Sequence, residues 1–267
     1  MKTGNDAINN RRNEILKIIS SSNFVTIDAI CQALHLTEST VRRDVRWLIQ
    51  QNKAKPFHGG VSPAKGPNIL FGVRYKRNVK EKELIGRYAA SLIEENDFIY
   101  IGAGSSTYYF AKALATRSDI RNVTIVTGTV NIALCFSGAA SSFTIILLGG
   151  ILTQPDESLT SRITIDNIKR FNFTKSITGH EAVAVSYGIT SNRVEVVEID
   201  QCVFEHSAQH IVLADHTKIG NACSMVSLPF KDITELIVDD SANAREELKK
   251  YTGSKVKITL LDPESEM

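Results

Sequence analysis

One stretch of the sequence combines glycines and hydroxyl side chains in a pattern suited to binding an anion. Residues 102–107 read Gly-Ala-Gly-Ser-Ser-Thr and follow an apolar segment at residues 97–101. Glycines let the chain turn tightly after a strand, and the free amides of a following helix attract negative charge. We therefore predict an anion-binding loop completed by the hydroxyls of Ser105, Ser106 and Thr107. The plainer alternative is a turn that a serine caps.

Two better-known phosphate-binding loops do not fit this stretch. A dinucleotide loop needs a third glycine, and an acidic residue about 20 residues further on. Thr107 stands at the third glycine position, and residues 123–130 contain no acidic side chain. A Walker loop requires a Gly-Lys-Ser or Gly-Lys-Thr sequence, which does not follow. We expect no cofactor.

A second stretch, residues 37–44, has the composition of a helix that contacts DNA. It reads Thr-Glu-Ser-Thr-Val-Arg-Arg-Asp. Apolar residues recur on one side of it, at Val41, Val45 and Leu48. That side faces a core, so the first half of the helix turns polar side chains outward, where arginine can bond guanine. Arg42 and Arg43 lie about 100° apart on a helix, so we expect one to contact a base and the other a phosphate.

The flanking elements predict a winged helix-turn-helix. Apolar spacing indicates a helix over residues 11–21, Thr26 is expected to cap a helix over 27–34, and Thr37 a helix that runs to about residue 51. Residues 53–61 contain two glycines and predict a hairpin, the wing that follows three short helices. We expect Asp44 to orient an arginine through a salt bridge. The candidate DNA contacts are Thr37, Ser39, Thr40, Arg42, Arg43, Lys53, Lys55 and His58.

Composition and charge limit the possible classes of protein. Residues 1–65 carry ten basic and five acidic side chains, a net charge of +5, whereas the rest of the 267 residues carry 21 and 24, a net charge of −3. A basic head on a slightly acidic body suggests a polyanion-binding module joined to a second function. No apolar run reaches the ~18 residues of a membrane helix, and four scattered cysteines suggest no disulfide framework. Residues 1–14 have no apolar core, so we expect no secretory signal. We expect a cytoplasmic protein without membrane contact.

After residue 77 the chain alternates predicted strands and helices. Strands are expected at residues 97–101, 123–127, 143–148, 176–178, 210–214, 236–238 and 256–261. Helices are expected at residues 78–95, 106–116, 129–137, 194–207 and 242–251. This alternation predicts a mostly parallel sheet with helices on both faces. We therefore expect an α/β protein with a helix-turn-helix domain at residues 1–62, a linker at 63–77 with apolar anchors at 69–71, and an α/β domain at 78–267.

Two histidines have the spacing of a metal-binding pair. His206 and His210 are four residues apart on a segment predicted as helical, which is the spacing of a zinc-binding pair. No His-Glu-x-x-His frame surrounds them, and Cys202 falls on another helix face. Ordinary packing is the favoured interpretation, and we predict no metal site.

The head resembles the DeoR-type bacterial transcription repressors. Residues 37–44, followed by His58-Gly-Gly, are similar to that family's Ser-x-x-Thr-Ile-Arg-Arg-Asp-Leu motif and to its wing ending in His-Gly-Gly. The resemblance places the helix-turn-helix at about Val25 to Asp44. The family usually has a basic residue two positions before the wing histidine, where this chain has Pro56, so Lys53 or Lys55 is expected to replace that contact.

The resemblance extends over nearly the whole chain. It implies a Rossmann-like α/β sensor domain similar to ribose-5-phosphate isomerases, with family motifs aligned at residues 102–107, 126–129, 147–150, 195–200 and 213–220. The effector-binding residues it implies, together with the anion loop, are Gly104, Ser105, Ser106, Thr107, Thr127, Gly149, Gly150, Glu195 and Lys218. The family's loop aspartate, its asparagine and its central-helix lysine are replaced by Gly102, Gly128 and Asp200. An anionic ligand is still expected, with a sugar part that differs or a site that is degenerate.

Two functions of different classes follow from these observations. The first is a DNA-binding regulator, a homo-oligomeric repressor of a sugar-metabolism operon that a phosphorylated sugar or related metabolite releases from double-stranded operator DNA. The second is a sugar-phosphate enzyme of the isomerase type with an accessory nucleic-acid-binding head. Its general base would be Glu195, Glu198 or Asp215, each of which is equally typical of a surface or strand-end carboxylate. We favour the regulator and predict no enzyme activity and no catalytic residues.

Overall fold

The computed structural model describes residues 2–21, 25–57, 60–63, 74–138, 143–153 and 157–264. The chain divides into two compact units, residues 1–68 and 69–267. The predicted wing residue His58 and the predicted apolar anchors at residues 69–71 lie outside the described residues. The domain limits 1–62, 63–77 and 78–267 stay a prediction.

The N-terminal unit is a helix-turn-helix with a small antiparallel sheet. Its helices are α1 (Lys2–Ser21), α2 (Ile27–Leu34) and α3 (Glu38–Gln50), and its strands are β1 (Val25–Thr26), β2 (Ala54–Phe57) and β3 (Gly60–Pro63). The strand order is β1-β3-β2, so the predicted hairpin β2–β3 gains a third strand before α2. The apolar faces of all three helices meet in one core around Ile15, Ile30 and Val41.

Helix α2 begins as the sequence predicts, and α3 begins differently. The Thr26 hydroxyl accepts a hydrogen bond from the Ala29 amide at 3.1 Å, which confirms its capping role. Thr37 occupies the N-cap position of α3 but makes no side-chain cap bond. Its hydroxyl instead lies 3.0 Å from the Thr40 hydroxyl. The turn between the two helices contains His35 in the left-handed conformation, with φ 52°.

Asp44 corrects one expectation about α3. It does not orient Arg42 or Arg43, because its side chain is buried and bonds α1 instead. Arg11 and Arg12 donate to its two carboxylate oxygens, at 2.6 and 2.9 Å. Burial alone would raise the pKa of Asp44, but the bonds and charges of these two arginines bring that pKa below its usual value. The ion pairs join α1 to α3.

The C-terminal unit is built on a seven-stranded, fully parallel sheet of order β15-β14-β12-β9-β4-β5-β6. Its strands are β4 (Phe98–Ile101), β5 (Val123–Thr127), β6 (Phe143–Leu147), β7 (Ile151–Thr153), β8 (Ser158–Thr160), β9 (Phe173–Gly179), β10 (Ala182–Ala184), β11 (Gly188–Ser191), β12 (Ser207–Ala214), β13 (Met225–Leu228), β14 (Glu235–Asp239) and β15 (Lys257–Leu261). Its helices are α4 (Val79–Ser91), α5 (Ser105–Ala115), α6 (Val130–Cys135), α7 (Arg162–Ile168), α8 (Val194–Glu205) and α9 (Ala242–Leu248). The predicted α/β fold class is confirmed.

Helices cover both faces of the parallel sheet because successive strand residues point in opposite directions. Ile99 and Ile101 pack in one cluster with residues of α4, α5 and α6, such as Phe110. Tyr100, between them in sequence, packs in another cluster with residues of α7 and α8, such as Ile168. The strands are consequently apolar on both sides, as buried parallel strands are expected to be.

Several short elements were absent from the sequence-based expectation. The hairpin β7–β8 and the antiparallel sheet β10-β11-β13 lie outside the main sheet. The helix predicted to carry both His206 and His210 is wrong, because α8 ends at Glu205 and His210 belongs to β12. The described residues contain no group of three side chains that could hold a metal ion, and no helix among them is long and apolar enough to cross a membrane.

Removal of the Asp44 carboxylate is expected to destabilise the N-terminal unit. Asp44→Ala leaves Arg11 and Arg12 without their shared partner and should lower the free energy of unfolding by about 1.5–3 kcal/mol, the range for bonds to charged groups. Denaturant unfolding followed by the fluorescence of Trp47, the only tryptophan in the chain, reports on this unit. Glu14→Ala, which removes an exposed pair with Lys17 on the same helix α1, is the control and should change little. Equal stability of both variants would contradict the ionic role given to Asp44.

Candidate DNA-binding helix and effector site

Helix α3 presents a polar surface along its exposed side. Its core-facing positions are Val41, Asp44, Val45 and Leu48. Thr37, Ser39, Arg42 and Arg43 are exposed, and Thr40 is half-buried. The Thr37 hydroxyl is 3.3 Å from the Ser39 hydroxyl as well as near that of Thr40, so the structure brings the three predicted hydroxyl contacts together. Such a group can donate to phosphate oxygens at the start of the helix.

The two arginines of α3 differ in their surroundings. Arg42 pairs with Glu38 one turn earlier, and its Nε donates to the carboxylate at 2.7 Å. Arg43 has no ion pair with any described residue. Arg46 is also exposed and adds a third basic side chain to this helix. Arg46 was not among the predicted DNA contacts, although its spacing of three residues from Arg43 places the two side chains on neighbouring turns of the helix.

Both wing lysines are exposed, and Lys53 lies beside an aromatic side chain. Lys53 Nζ is 5.6 Å from the centroid of the Trp47 ring, and the Arg12 guanidinium lies 4.1 Å from the same centroid. Lys55 is exposed on β2. Trp47 thus supports a cluster of cations at the end of α3, an arrangement in which cation–π attraction holds positive charge in place.

In the C-terminal unit, the predicted anion loop joins β4 to α5. The Gly102 amide donates to the Ile177 carbonyl of β9 at 2.9 Å, and Gly104 precedes the first turn of α5. A side chain at Gly179 would come within 3.5 Å of the Thr107 methyl group and 3.6 Å of the Leu213 carbonyl oxygen. The loop is therefore packed directly against the carboxyl end of β9, which pairs with β12.

The three hydroxyls of this loop are nearly buried but differ in what they bond. Thr107 is fully buried and donates to the Gly104 carbonyl at 3.0 Å, so this hydroxyl braces the loop. Ser105 and Ser106 are 9% and 7% exposed, and neither side chain bonds another described residue. With the amides of the first turn of α5, these two serines are the groups best placed to bond an anion.

The other effector residues that the resemblance implies fall around the neighbouring strand ends. Thr127, at the end of β5, donates to the Ile101 carbonyl at 2.8 Å and accepts from the Thr129 amide, which fixes the edge between β4 and β5. Gly149 accepts at its carbonyl from the Thr164 hydroxyl at 2.9 Å. Gly150 leads into the hairpin β7–β8, which bonds the end of β5 through Leu159 and Gly128.

Glu195 lies at the start of α8 and is held by a residue that the sequence analysis missed. Arg193 Nε donates to its carboxylate at 2.9 Å, and the same guanidinium reaches the Thr153 hydroxyl of β7 at 3.5 Å. Burial would raise the pKa of Glu195, but its own backbone amide and Arg193 bring the pKa below its usual value. Arg193 directly precedes α8 and is two residues from Glu195. This short spacing is the feature of the sequence from which the ion pair could have been predicted.

Asp200 and His180 form a buried polar group next to the loop. His180 Nε2 is 2.8 Å from the Thr178 hydroxyl, and its Nδ1 is 3.4 Å from Asp200 Oδ2, an atom with no hydrogen bond within the described residues. The side chain of His180 is only 2% exposed. Burial, followed by the charge of Asp200, raises the pKa of the Tyr100 hydroxyl on β4. His180 was also missed, because nothing in the sequence indicates that it meets Asp200.

Lys218 follows β12 in a short 3-10 turn at residues 216–218. It is half-buried, and Asp215 precedes the turn with 1% of its surface exposed. Burial would raise the pKa of Asp215, but the charge of Lys218 and a bond from the Thr217 hydroxyl bring that pKa below its usual value. The sheet edge therefore holds acidic and basic side chains close together.

A winged helix-turn-helix and an α/β unit with polar groups at its strand ends define a DNA-binding protein with a separate second domain. The model of the DeoR-like helix-turn-helix domain matches residues 11–65, and that of the DeoR C terminal sensor domain matches residues 77–240. The chain therefore belongs to the DeoR family of transcriptional regulators. This family consists of regulators rather than enzymes, and the isomerase alternative is set aside.

Individual relatives cover most of the chain. The HTH-type transcriptional regulator IolR of Bacillus subtilis is 27% identical over 221 residues, 82% of this chain and 86% of its own length. The glycerol-3-phosphate regulon repressor of Escherichia coli is 25% identical over 251 residues, 94% of this chain and 98% of its own length. Ribose 5-phosphate isomerase A of Methanocaldococcus jannaschii superposes with a TM-score of 0.38 at 13% identity, covering 52% of this chain and 53% of that one.

Adjacent glycines before the β7–β8 hairpin are expected to respond differently to substitution. A Cβ at Gly150, where φ is +156°, would clash with the Thr164 hydroxyl, whereas one at Gly149 would meet atoms no closer than 3.7 Å. Gly150→Ala should lower the free energy of unfolding by about 1–3 kcal/mol and Gly149→Ala should change it little. Thermal unfolding by circular dichroism measures the difference, while the Trp47 fluorescence transition should not move. Equal effects of the two substitutions would contradict the described path of the chain.

Proposed function

We propose that the protein is a repressor that binds operator DNA through α3 and its wing and leaves the DNA when a phosphorylated sugar or related metabolite binds the sensor domain. The observation that carries this proposal is the pairing, in one DeoR-family chain, of exposed arginines on α3 with an anion loop at a sheet edge. A ligand regulates DNA binding only if its affinity differs between the free and the DNA-bound protein.

The proposed DNA contacts come from exposed groups of the N-terminal unit. Arg43 and Arg46 carry charges that no described carboxylate neutralises, and Arg42 needs only to exchange Glu38 for a base or phosphate. The hydroxyls of Thr37, Ser39 and Thr40 form the phosphate-binding end of the same helix. Lys53 and Lys55 supply the wing, for which His58 is the further candidate.

The proposed effector site is centred on the Ser105 and Ser106 hydroxyls. Both are nearly buried beside the first turn of α5, where backbone amides favour a phosphate. Arg193, Glu195, Lys218 and the His180–Asp200 pair surround the neighbouring strand ends and supply donors and acceptors for a polyol. The name of the Escherichia coli relative, which refers to glycerol 3-phosphate, agrees with a small phosphorylated polyol as the class of ligand.

We also propose that the protein acts as a homo-oligomer in the cytoplasm. Helix-turn-helix proteins commonly bind two half-sites one helical turn apart, which requires two recognition helices. The operators of the proposed regulator should therefore be palindromic.

Substitution of the arginines of α3 tests the DNA-binding part of the proposal. Arg43→Ala should weaken binding to an operator fragment, selected from random DNA by the parent protein, by about 1–3 kcal/mol if the side chain contacts a base. Arg42→Ala should have a smaller effect, because Arg42 must give up its ion pair with Glu38 before it can contact DNA. Lys17→Ala, an exposed lysine of α1, is the control. Unchanged fluorescence anisotropy titrations for both arginine variants would refute the assignment of α3.

A panel of sugar phosphates with their unphosphorylated parents tests the effector part. A ligand that binds only the folded protein should stabilise it by about 2.7 kcal/mol at 100 times its Kd. The stabilisation should appear with a phosphate ester, not with its parent, and should be lost in the Ser105→Ala/Ser106→Ala double variant. Ser91→Ala, at the far end of α4, is the matched control. A thermal shift that the double variant retains would place the ligand elsewhere.

A further inference from the structure

Lys82 of α4 is a buried cation that joins two parts of the sensor domain. Only 3% of the residue is exposed. Its Nζ donates to the Arg74 carbonyl at 2.9 Å and to the Arg77 carbonyl at 2.6 Å, and lies 3.6 Å from Asp215 Oδ2. Burial of an ammonium group is costly unless bonds and opposite charge offset it, so this lysine is held in one geometry.

Asp215 completes this arrangement at the carboxyl end of β12. It is 1% exposed, and its Oδ1 accepts from the Asn78 amide group at 3.2 Å and from the Thr217 amide at 3.1 Å. Burial lowers the pKa of Lys82 while the charge of Asp215 raises it, and the charge of Lys218 lowers it again. Of these two lysines only Lys82 lies within ion-pair distance of Asp215, and the turn that carries Lys218 is joined to the same carboxylate through the Thr217 amide.

The carbonyls that Lys82 holds belong to the segment by which the chain enters the described part of the sensor domain. Residues 74–78 follow residues 64–73, which lie outside the described residues and contain the boundary between the two units at residues 68 and 69. A second side chain holds the same segment, since the Tyr109 hydroxyl donates to the Tyr75 carbonyl at 2.9 Å. Tyr109 is on α5, the helix that begins at the anion loop, and Tyr108 beside it makes an edge-on contact with the Tyr75 ring.

We propose that Lys82 is a positioning residue that ties the chain entering from the DNA-binding unit to the effector edge of the sheet. The proposal rests on the proposed function in one respect, that an anionic effector binds at this edge. Asp215 is held by the turn that carries Lys218, so an anion that binds Lys218 and shifts this turn also shifts the Asp215 carboxylate. Lys82 then moves from the two carbonyls toward Asp215, and the segment at residues 74–77 is released.

Limited trypsin digestion of the full-length protein tests the tie without any ligand. The two carbonyls that Lys82 holds belong to the Arg74–Tyr75 and Arg77–Asn78 bonds, which trypsin can cleave only when the segment opens. In Lys82→Met, products that begin at Tyr75 and Asn78 should form at least about ten-fold faster, the factor that corresponds to 1.4 kcal/mol. Mass spectrometry identifies the new N-termini.

Two further variants keep the digestion interpretable. Lys80→Met makes the same substitution at an exposed position of α4 and should be cleaved at the rate of the parent protein. The double variant Lys82→Met/Asp215→Asn removes both buried charges, so it leaves no unpaired charge in the interior. It lacks the bonds from Lys82 to the two carbonyls and should fold even where the single variant does not. Thermal unfolding establishes that each variant is folded. Protection of both bonds in the folded double variant, equal to that in the parent, would overturn the proposal.

Measuring the release of operator DNA distinguishes a failure of this inference from a failure of the proposed function. Because Lys82→Met lacks the tie without any ligand, it should bind operator DNA more weakly than the parent, and a sugar phosphate that stabilises both proteins thermally should change its DNA binding less than that of the parent. Release of both proteins at equal concentrations would overturn the inference and leave the proposed function standing. Failure of every compound in the panel to release the parent would instead refute the proposed function, and the ligand-free digestion would still decide whether Lys82 holds the segment.

Discussion

The parallel pairing of β9 with β4 and β12 is the constraint on which the sensor domain depends. Because parallel strands end at one edge, the chain must leave all three strands in the same region. The anion loop after β4, His180 after β9 and Asp215 after β12 are thereby collected from distant parts of the sequence. Open α/β sheets bind ligands at this edge for the same reason.

Crowding at that edge explains why several of its polar side chains bond protein groups. The hydroxyls of Thr107 and Thr127 are used to fix the backbone, whereas Ser105 and Ser106 make no bond to a described residue. The family motif contains all of these hydroxyls without distinguishing between them. The structure separates residues that shape the site from residues that remain available to an anion.

Local patterns predicted most of the fold, and long-range contacts explain what they missed. Helices α2 and α3 and the strands of the main sheet follow from apolar spacing and capping, which are properties of neighbouring residues. The charged partners of Asp44 lie 32 and 33 residues away in the sequence and that of Lys82 lies 133 residues away, so no local pattern contains these ion pairs. The prediction of one helix carrying both His206 and His210 was wrong because a four-residue spacing is compatible with a helix but does not require one. The hairpin β7–β8 is stabilised by contacts with the end of β5, and its short strands have no signal of their own.

The burial of Asp44 affects the ionic atmosphere around α3. The motif Arg42-Arg43-Asp44 counts formally as a single positive charge, but Asp44 faces inward and α1 neutralises it. A phosphate backbone approaching α3 therefore meets cations at Arg43 and Arg46 with no acidic side chain between them. Each phosphate that such a cation contacts releases condensed counterions, and binding weakens with salt by a slope of about 0.9 per contact. We therefore expect the salt dependence of DNA binding to come from the exposed arginines of α3 and the wing lysines, undiminished by a carboxylate that is hidden from solvent.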